Sequence, residues 1–213
     1  MFRSVALLLR PLATYSLALP AGSRSISSKR SWKSFVDLQC PFARKFYVEH
    51  RPDIESHFGD QFEFSTHLTS LAFHPQAFVG QKAAKLIELN KGIDSKLNFV
   101  DACFINQDRY KDTGDARPSE VDVIFANIAE EAGIFSDEAV FTRDFFLEHI
   151  NDWDAIVKPT YAEHKVALGY GVFGTPKFVI DDKLVEGTES SWGPEEWETK
   201  LQEIDSQIDK NDQ

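Results

Sequence analysis

The chain has 213 residues, of which 42% are hydrophobic, and it contains 18 phenylalanines and four tryptophans. This length suits a single domain with a proper core, and the composition is that of a globular rather than a disordered protein. The formal net charge is −11, but residues 1–30 hold five basic residues and no acid, so the remainder carries 18 basic against 34 acidic residues. Such an acidic balance argues against nucleic acid or an anionic membrane as the partner.

The first thirty residues predict a targeting segment rather than part of the fold. On a helical wheel Phe2 and Leu9 share one side, serine and arginine are frequent, and acids are missing. This profile is typical of a mitochondrial presequence. A secretory signal is the alternative, although Arg10 and Pro11 interrupt its apolar run. We expect a mitochondrial protein, with the secretory pathway as the alternative. No membrane span is expected, because no run approaches the roughly 18 apolar residues that a span needs.

The first chemical motif is a cysteine between a strand and a helix. An apolar strand is predicted over residues 35–39, Cys40 follows it, and Pro41 begins a helix. Proline is tolerated at the first helical position because no amide hydrogen is needed there. A sulfur at this point faces the unpaired amides and the positive end of the helix dipole, which favours the thiolate. Asp37 opposes this effect if its carboxylate lies close to the sulfur.

Periodicity predicts the elements that follow this motif. The helix from Pro41 meets Pro52, which indicates one kinked helix or two short helices in line. Alternating residues over 62–66 predict a second strand, so that strand, helix and strand form a βαβ unit. From His74 the period becomes helical and stays so for nearly a hundred residues.

Capping residues divide this helical block. Ser119 is predicted to cap one helix, which Gly133 closes, and Ser136 is predicted to cap the next. A further helical stretch is expected to kink or restart at Pro159.

The second motif follows the helical block. Residues 171–176 read Gly-Val-Phe-Gly-Thr-Pro and precede an apolar strand at 178–180. Residues 181–182 are both aspartate and predict a hairpin to a strand at 183–185. A last helix is expected to open with Pro194 in its first turn.

Together the two motifs resemble those of thioredoxin-fold proteins of the DsbA-like branch, over roughly Ser34 to Leu201. The resemblance implies an α/β, thioredoxin-like fold with a large helical insertion between the βαβ half and the cis-proline ββα half. It implies three parts: a targeting presequence of residues 1–30, a thioredoxin-like domain of residues 31–73 and 170–213, and a helical insertion of residues 74–169.

The resemblance also implies roles for particular residues. The Thr-Pro bond is expected to be cis, with Pro176 facing Cys40, the catalytic residue, and with Thr175 presenting its backbone to a bound peptide. Pro41 and Phe42 complete the expected substrate-binding set, and Phe42 is the best candidate for the wall of an apolar groove.

The chain departs from the family pattern in one respect. The family's dithiol is Cys-x-x-Cys, whereas here Ala43 occupies the second cysteine position, so a mixed disulfide must be resolved by an external thiol. We therefore expect a monothiol thiol–disulfide oxidoreductase that acts through Cys40 on peptide or protein thiols. It is expected to need no bound cofactor, with glutathione as the candidate co-substrate.

Two alternatives remain open at this stage. One is a glutathione transferase or isomerase of the kappa-like type, acting on a small hydrophobic substrate. The other is a non-catalytic thioredoxin-fold binding protein that keeps Cys40 as a relic. The sequence does not indicate the oligomeric state.

The remaining candidate groups favour structural roles. Cys103 lies beside an apolar helical stripe and is expected to be a buried, inert thiol. His164 shares a face with apolar residues and is expected to be a satisfied core histidine. The histidine spacing matches no metal-binding pattern, so no metal is expected.

Overall fold

The computed structural model describes residues 29–135 and 140–211. Its centre is a four-stranded mixed sheet, formed by β1 (Arg30–Val36), β2 (Phe62–Leu68), β3 (Lys177–Ile180) and β4 (Lys183–Val185). The strand order is β2-β1-β3-β4. β2 runs parallel to β1, whereas β3 is antiparallel to both β1 and β4. The predicted βαβ half and ββα half therefore meet at the β1–β3 pair.

Eight α-helices accompany the sheet in the described part of the chain. They are α1 (Pro41–Lys45), α2 (Arg51–Phe58), α3 (Ala77–Lys91), α4 (Ile93–Ile105), α5 (Pro118–Glu131), α6 (Arg143–His149), α7 (Lys158–Gly169) and α8 (Pro194–Asn211). Five of them, α3 to α7, lie between β2 and β3. The predicted thioredoxin-like fold with a helical insertion is confirmed. None of these helices has the length and apolar content needed to cross a membrane.

The alternation of side chains along the central strands creates two cores of unequal size. Trp32 and Val36 of β1 and Phe178 of β3 face the larger core, which the helical insertion completes. Phe35 and Val179, which are the sequence neighbours of Val36 and Phe178, face a smaller core. Successive strand residues point to opposite faces of the sheet, so a period of two places each residue. The turn that carries Cys40 therefore follows a strand that is buried on both faces.

The segment after the cysteine bends where its sequence predicts a bend. A π-helical turn at Phe46–His50 joins α1 to α2, and Pro52 lies in the first turn of α2. The amides of the first turn have no partner within the helix, so a proline there costs no helical hydrogen bond. Pro159 lies in the first turn of α7 in the same way, and a π-helical turn at Trp153–Val157 precedes it. Both predicted breaks are confirmed.

The first strand lies earlier than predicted. It begins at Arg30, the last residue assigned to the targeting segment, and ends at Val36 rather than at residue 39. The Asp37 carboxylate accepts hydrogen bonds from the backbone amides of Gln39 and Cys40, at 2.7 and 3.1 Å. An aspartate that bonds its own backbone two residues on forms a turn in place of a strand. The rest of the predicted targeting segment, residues 1–28, lies outside the described residues.

Two predicted helix caps need comment. α5 begins at Pro118 rather than after Ser119. The Glu120 carboxylate accepts a hydrogen bond from the Arg117 amide at 2.7 Å, so the helix is capped at Arg117, two residues before the predicted cap. α6 is capped by Thr142, whose hydroxyl accepts a hydrogen bond from a backbone amide of its first turn. The other predicted cap, Ser136, lies outside the described residues.

The hairpin between β3 and β4 has the predicted turn. Asp181 and Asp182 have φ values of +46° and +61°. Two successive residues with positive φ are the mark of a type I′ turn, which aspartate tolerates and which matches the twist of paired strands. The turn brings β4 back along β3.

Candidate active site

Cys40 lies where the sheet, the turn and α1 meet. It is the residue before the helix, in an extended conformation with φ −76° and ψ 122°, and Pro41 is the first helical residue. Its backbone carbonyl accepts the first helical bond from Arg44 at 3.0 Å. Only 4% of the cysteine is exposed, although Pro41 and Phe42 beside it are exposed. The chain thus holds the sulfur just beneath the surface at the start of a helix.

The second motif lies directly against this sulfur. The Thr175–Pro176 peptide bond is cis. The Cys40 thiol donates a hydrogen bond to the Thr175 carbonyl oxygen, with 3.3 Å between sulfur and oxygen. These residues are 135 positions apart in the sequence. The antiparallel pairing of β1 with β3 brings them together, since the cysteine follows one strand and the proline precedes the other.

The hydroxyl of Thr175 is a free polar group at this site. Thr175 is 9% exposed, and its Oγ1 atom is buried without a hydrogen-bond partner. A buried hydroxyl without a partner is destabilising, because it has lost its bonds to water. The site therefore contains an unmet donor and acceptor one residue before Pro176.

Asp37 is the nearest buried acid to the cysteine, and it is fully buried. One carboxylate oxygen, Oδ1, accepts the amides of Gln39 and Cys40 described above, and the other, Oδ2, accepts the Leu71 amide at 2.7 Å. His74 Nδ1 lies 3.0 Å from Oδ2, within ion-pair distance but without the alignment of a hydrogen bond. Burial raises the pKa of Asp37 above its ordinary value of 3.8, and the amides and His74 oppose this rise.

The helical insertion holds the Cys40 turn from the other side. Gln107 Nε2 donates to the carbonyl oxygens of Leu38 and Cys40, at 2.8 and 3.1 Å. The Tyr110 hydroxyl lies 2.9 Å from the carbonyl oxygens of Leu38 and Cys103. Both donors are buried. Neither residue could be recognised from the sequence, because a glutamine and a tyrosine some 70 residues from the motif form no pattern with it.

The described structure places the other predicted groups as follows. Arg44 of α1, four residues after Cys40, donates from its Nε atom to the Phe104 carbonyl oxygen at 2.9 Å. Cys103 is fully buried, and burial raises the pKa of its thiol well above the ordinary value. His164 is partly buried rather than a core residue, and its Nδ1 atom lies 3.0 Å from the Thr69 hydroxyl oxygen, so the ring has the hydrogen-bond partner that was expected.

Each of the three segments around the site exposes one phenylalanine. Phe42, the predicted groove wall, is 63% exposed, Phe73 beside His74 is 72% exposed, and Phe173 in the second motif is 77% exposed. Large exposed apolar side chains near a reactive group are typical of contact sites for other molecules. Phe73 and Phe173 were not singled out in the sequence.

A sizeable cleft in the described part of the chain lies elsewhere. It has a volume of about 500 Å³ and follows the free edge of β2, between α2, α4 and α7. None of the predicted site residues lines it. The described residues also contain no group of three or more histidine, cysteine, aspartate or glutamate side chains that could hold a metal ion.

Fold and site together define a class of protein. A cysteine between a central strand and a helix, opposite a cis-proline and packed against a helical insertion, is the arrangement of a thioredoxin-like fold of the DsbA type.

Comparison with solved structures agrees with this class. The chain is similar to BdbD from Bacillus subtilis in its oxidised form, with a TM-score of 0.59 and 16% identity over 83% of this chain and 88% of that one. It is also similar to a putative protein-disulfide isomerase from Pseudomonas syringae, with a TM-score of 0.57 and 19% identity over 79% and 90% of the two chains. A third similar structure is the thiol-disulfide exchange protein α-DsbA2 from Wolbachia pipientis, with a TM-score of 0.56 and 18% identity over 84% and 83%.

Sequence comparison adds nothing to this likeness. No family model and no curated protein sequence matches the chain. At such low identities the structural neighbours establish the fold, and the chemistry has to be argued from the residues of this chain.

Proposed function

We propose that this protein is a monothiol thiol–disulfide oxidoreductase that uses Cys40 as its nucleophile and an external thiol of the glutathione type to complete the reaction. The observation that carries the proposal is the contact between the Cys40 thiol and the Thr175 carbonyl oxygen, beside a cis-proline on a DsbA-like fold. Ala43, which is fully buried, stands where a second cysteine would resolve the intermediate. Cys103 is also a free thiol, but it is fully buried and burial raises the pKa of its thiol, so it is a poor nucleophile.

The reaction has two exchange steps. First, the Cys40 thiolate attacks one sulfur of a substrate disulfide, so that a Cys40–substrate disulfide forms and the other substrate sulfur leaves as a thiolate and takes up a proton. Second, the thiolate of the external thiol attacks the sulfur that is bonded to Cys40, so that a disulfide forms between that sulfur and the external thiol, and Cys40 leaves as a thiolate. The number of disulfides is unchanged in each step, so no further oxidant is needed.

The Thr175 carbonyl links ionisation of the thiol to substrate binding. The thiol donates to this oxygen only while it carries its proton, so ionisation frees the oxygen to accept a hydrogen bond from a substrate backbone. The unpartnered hydroxyl of Thr175 offers a second polar contact at the same place. With Pro176 buried behind it and Phe42 exposed beside it, this edge suits an extended peptide that carries apolar side chains.

The test is incubation with a peptide that carries a mixed disulfide to glutathione. We expect mass spectrometry to find an adduct on Cys40 and added glutathione to release it. Cys40→Ser should abolish both, whereas Cys103→Ala, the matched control, should retain both. Turnover that survives in Cys40→Ser, without any adduct, would point instead to glutathione transfer, in which the cysteine need not accept a disulfide bond. Peptide binding without exchange would point to a binding protein.

We also propose a mitochondrial location, which the composition of residues 1–30 supports. Cell fractionation together with the mass of the mature N-terminus tests it. β1 begins at Arg30, whose side chain bonds Asp181 and Asp205 at 2.6 and 2.9 Å. We therefore expect the mature chain to keep Arg30, and recovery of the uncleaved chain from the secretory pathway would contradict the proposal.

A further inference from the structure

A buried carboxylate beneath the cysteine has no place in the exchange reaction as proposed above. Asp37 is fully buried, and each of its oxygens accepts a backbone amide, on one side from the Cys40 turn and on the other from Leu71. Burying an ionisable acid is destabilising unless its charge is matched. Among the described residues its charge partner is His74, 3.0 Å away and itself mostly buried, with 14% of its side chain exposed.

The hydrogen-bonding neighbours of Asp37 favour the ionised form of the acid and oppose the rise in its pKa that burial causes. Three of its neighbours are backbone N–H groups, which can only donate, so a proton on Asp37 would face donors at Gln39, Cys40 and Leu71. His74 Nδ1 is the one neighbour that can either carry a proton or accept one. The carboxylate and the imidazolium therefore fit each other and the turn.

The carboxylate is close enough to the sulfur to affect it. Asp37 Oδ1 lies 3.1 Å from the Cys40 amide nitrogen, and the sulfur is only three covalent bonds from that nitrogen. Charges within about 4–6 Å of an ionisable group change its ionisation measurably. Among the described residues, the other titratable or charged groups that act on this carboxylate or on its neighbours are His74 from the β2–α3 segment, Tyr110 from the insertion and Arg44 of α1, which acts on Tyr110.

We propose that Asp37 is the positioning residue for the Cys40 thiol, holding the turn that carries it, and that the opposite charges of Asp37 and His74 together set how readily this thiol ionises. The inference rests on the proposed function only in taking Cys40 as the reacting group. It concerns a property of the thiol itself, which can be measured without any substrate.

The experiment is the rate of Cys40 alkylation by a small neutral reagent from pH 5 to 9, with the modified residue identified by mass spectrometry. Asp37→Asn keeps an oxygen for the amides of the turn but removes the negative charge, so the Cys40 thiolate should form more readily. We expect alkylation of Cys40 at pH 6 to be faster by about threefold.

His74→Gln should have the opposite effect. It removes the positive partner and leaves the carboxylate, so alkylation at pH 6 should be slower by about threefold. Opposite signs distinguish an electrostatic pair from simple loosening of the turn, which would change both variants in the same direction.

Asp122→Asn is the matched control, since Asp122 is also a buried aspartate and accepts a hydrogen bond from Asn151 at 2.8 Å, but within the insertion. It should change stability and leave the alkylation profile unaltered. An Asp37→Asn profile equal to that of the unmodified protein, or shifts of the same sign in both variants, would overturn the proposal. If Asp37→Asn does not fold, His74→Gln decides alone, and an unchanged rate at pH 6 overturns it. Failure of the peptide exchange assay with these shifts present would refute the oxidoreductase function and leave the positioning role standing.

Discussion

Replacing Gly80, a glycine of the helical insertion that packs closely against Leu38, should destabilise the protein. Gly80 lies in α3 against two buried side chains. A Cβ atom added there would lie 2.7 Å from Leu38 Cδ1, and 2.8 and 2.9 Å from two ring atoms of Phe125. Favourable contacts between carbon atoms are about 3.5–4.0 Å. Gly80→Ala therefore requires both neighbours to move by about 1 Å.

Two effects of opposite sign determine the size of the change in stability. Alanine is better than glycine within a helix by about 1 kcal/mol. Overpacking a filled core costs about 1–3 kcal/mol. Leu38 is 1% exposed and Phe125 is fully buried, so neither can turn towards solvent, and the upper part of that range applies. We expect a net loss of about 1–2 kcal/mol, which lowers Tm by several degrees at about 2–4 °C per kcal/mol for a domain of this size.

The same change should reach the cysteine. The Leu38 carbonyl oxygen accepts bonds from Gln107 and Tyr110, and Cys40 follows two residues later. Displacing Leu38 disturbs these bonds, so the rate of Cys40 alkylation should change as Tm falls. Thermal denaturation followed by circular dichroism measures the first effect and mass spectrometry the second.

Gly169→Ala is the control, because this residue also lies in a helix, α7, but a Cβ atom there meets nothing within 4 Å. Its Tm should stay the same or rise. A Tm for Gly80→Ala equal to or above that of Gly169→Ala would show that the contact with Leu38 and Phe125 is not tight, and would refute the reasoning.

Three further predictions follow from the buried groups. Cys103 should resist alkylation in the folded protein at pH 8 and react in urea, because it is fully buried and burial raises the pKa of its thiol; labelling in native buffer would contradict this. The raised pKa of Asp37 contributes stability that is fully present below its unfolded pKa of 3.8 and is lost as the pH rises through the folded pKa. Urea unfolding from pH 3 to 7 should therefore show the protein losing stability relative to Asp37→Asn. Parallel stability curves for the two proteins would count against this prediction. Ala43→Cys should supply the missing resolving thiol, so that the Cys40 adduct disappears without added glutathione. Because Ala43 is fully buried, the larger side chain should lower the free energy of unfolding by about 1–3 kcal/mol. A persistent adduct would show that a thiol at position 43 cannot reach the Cys40 sulfur.

Local patterns predicted much of the fold. The period-two strands, the prolines at helix starts and the paired aspartates of the hairpin each act through neighbouring residues, and each is found where it was expected. The errors are local as well. The first strand ends at Val36 because the Asp37 side chain competes for the backbone, and the capping partner of α5 is Glu120 rather than the serine at its start.

The sequence by itself determined the two motifs and the missing second cysteine, because residue identity and spacing along one segment suffice to recognise them. Only the tertiary structure decided that the Cys40 sulfur lies 3.3 Å from the Thr175 carbonyl, and that Asp37, His74 and Gln107 surround the turn that carries it. The contacts of Cys40 with Gln107 and with Thr175 join segments that are 67 and 135 residues apart. Their geometry depends on strand pairing and on how the insertion packs, and a buried polar group is satisfied by whichever donor the fold brings near, which no local pattern specifies.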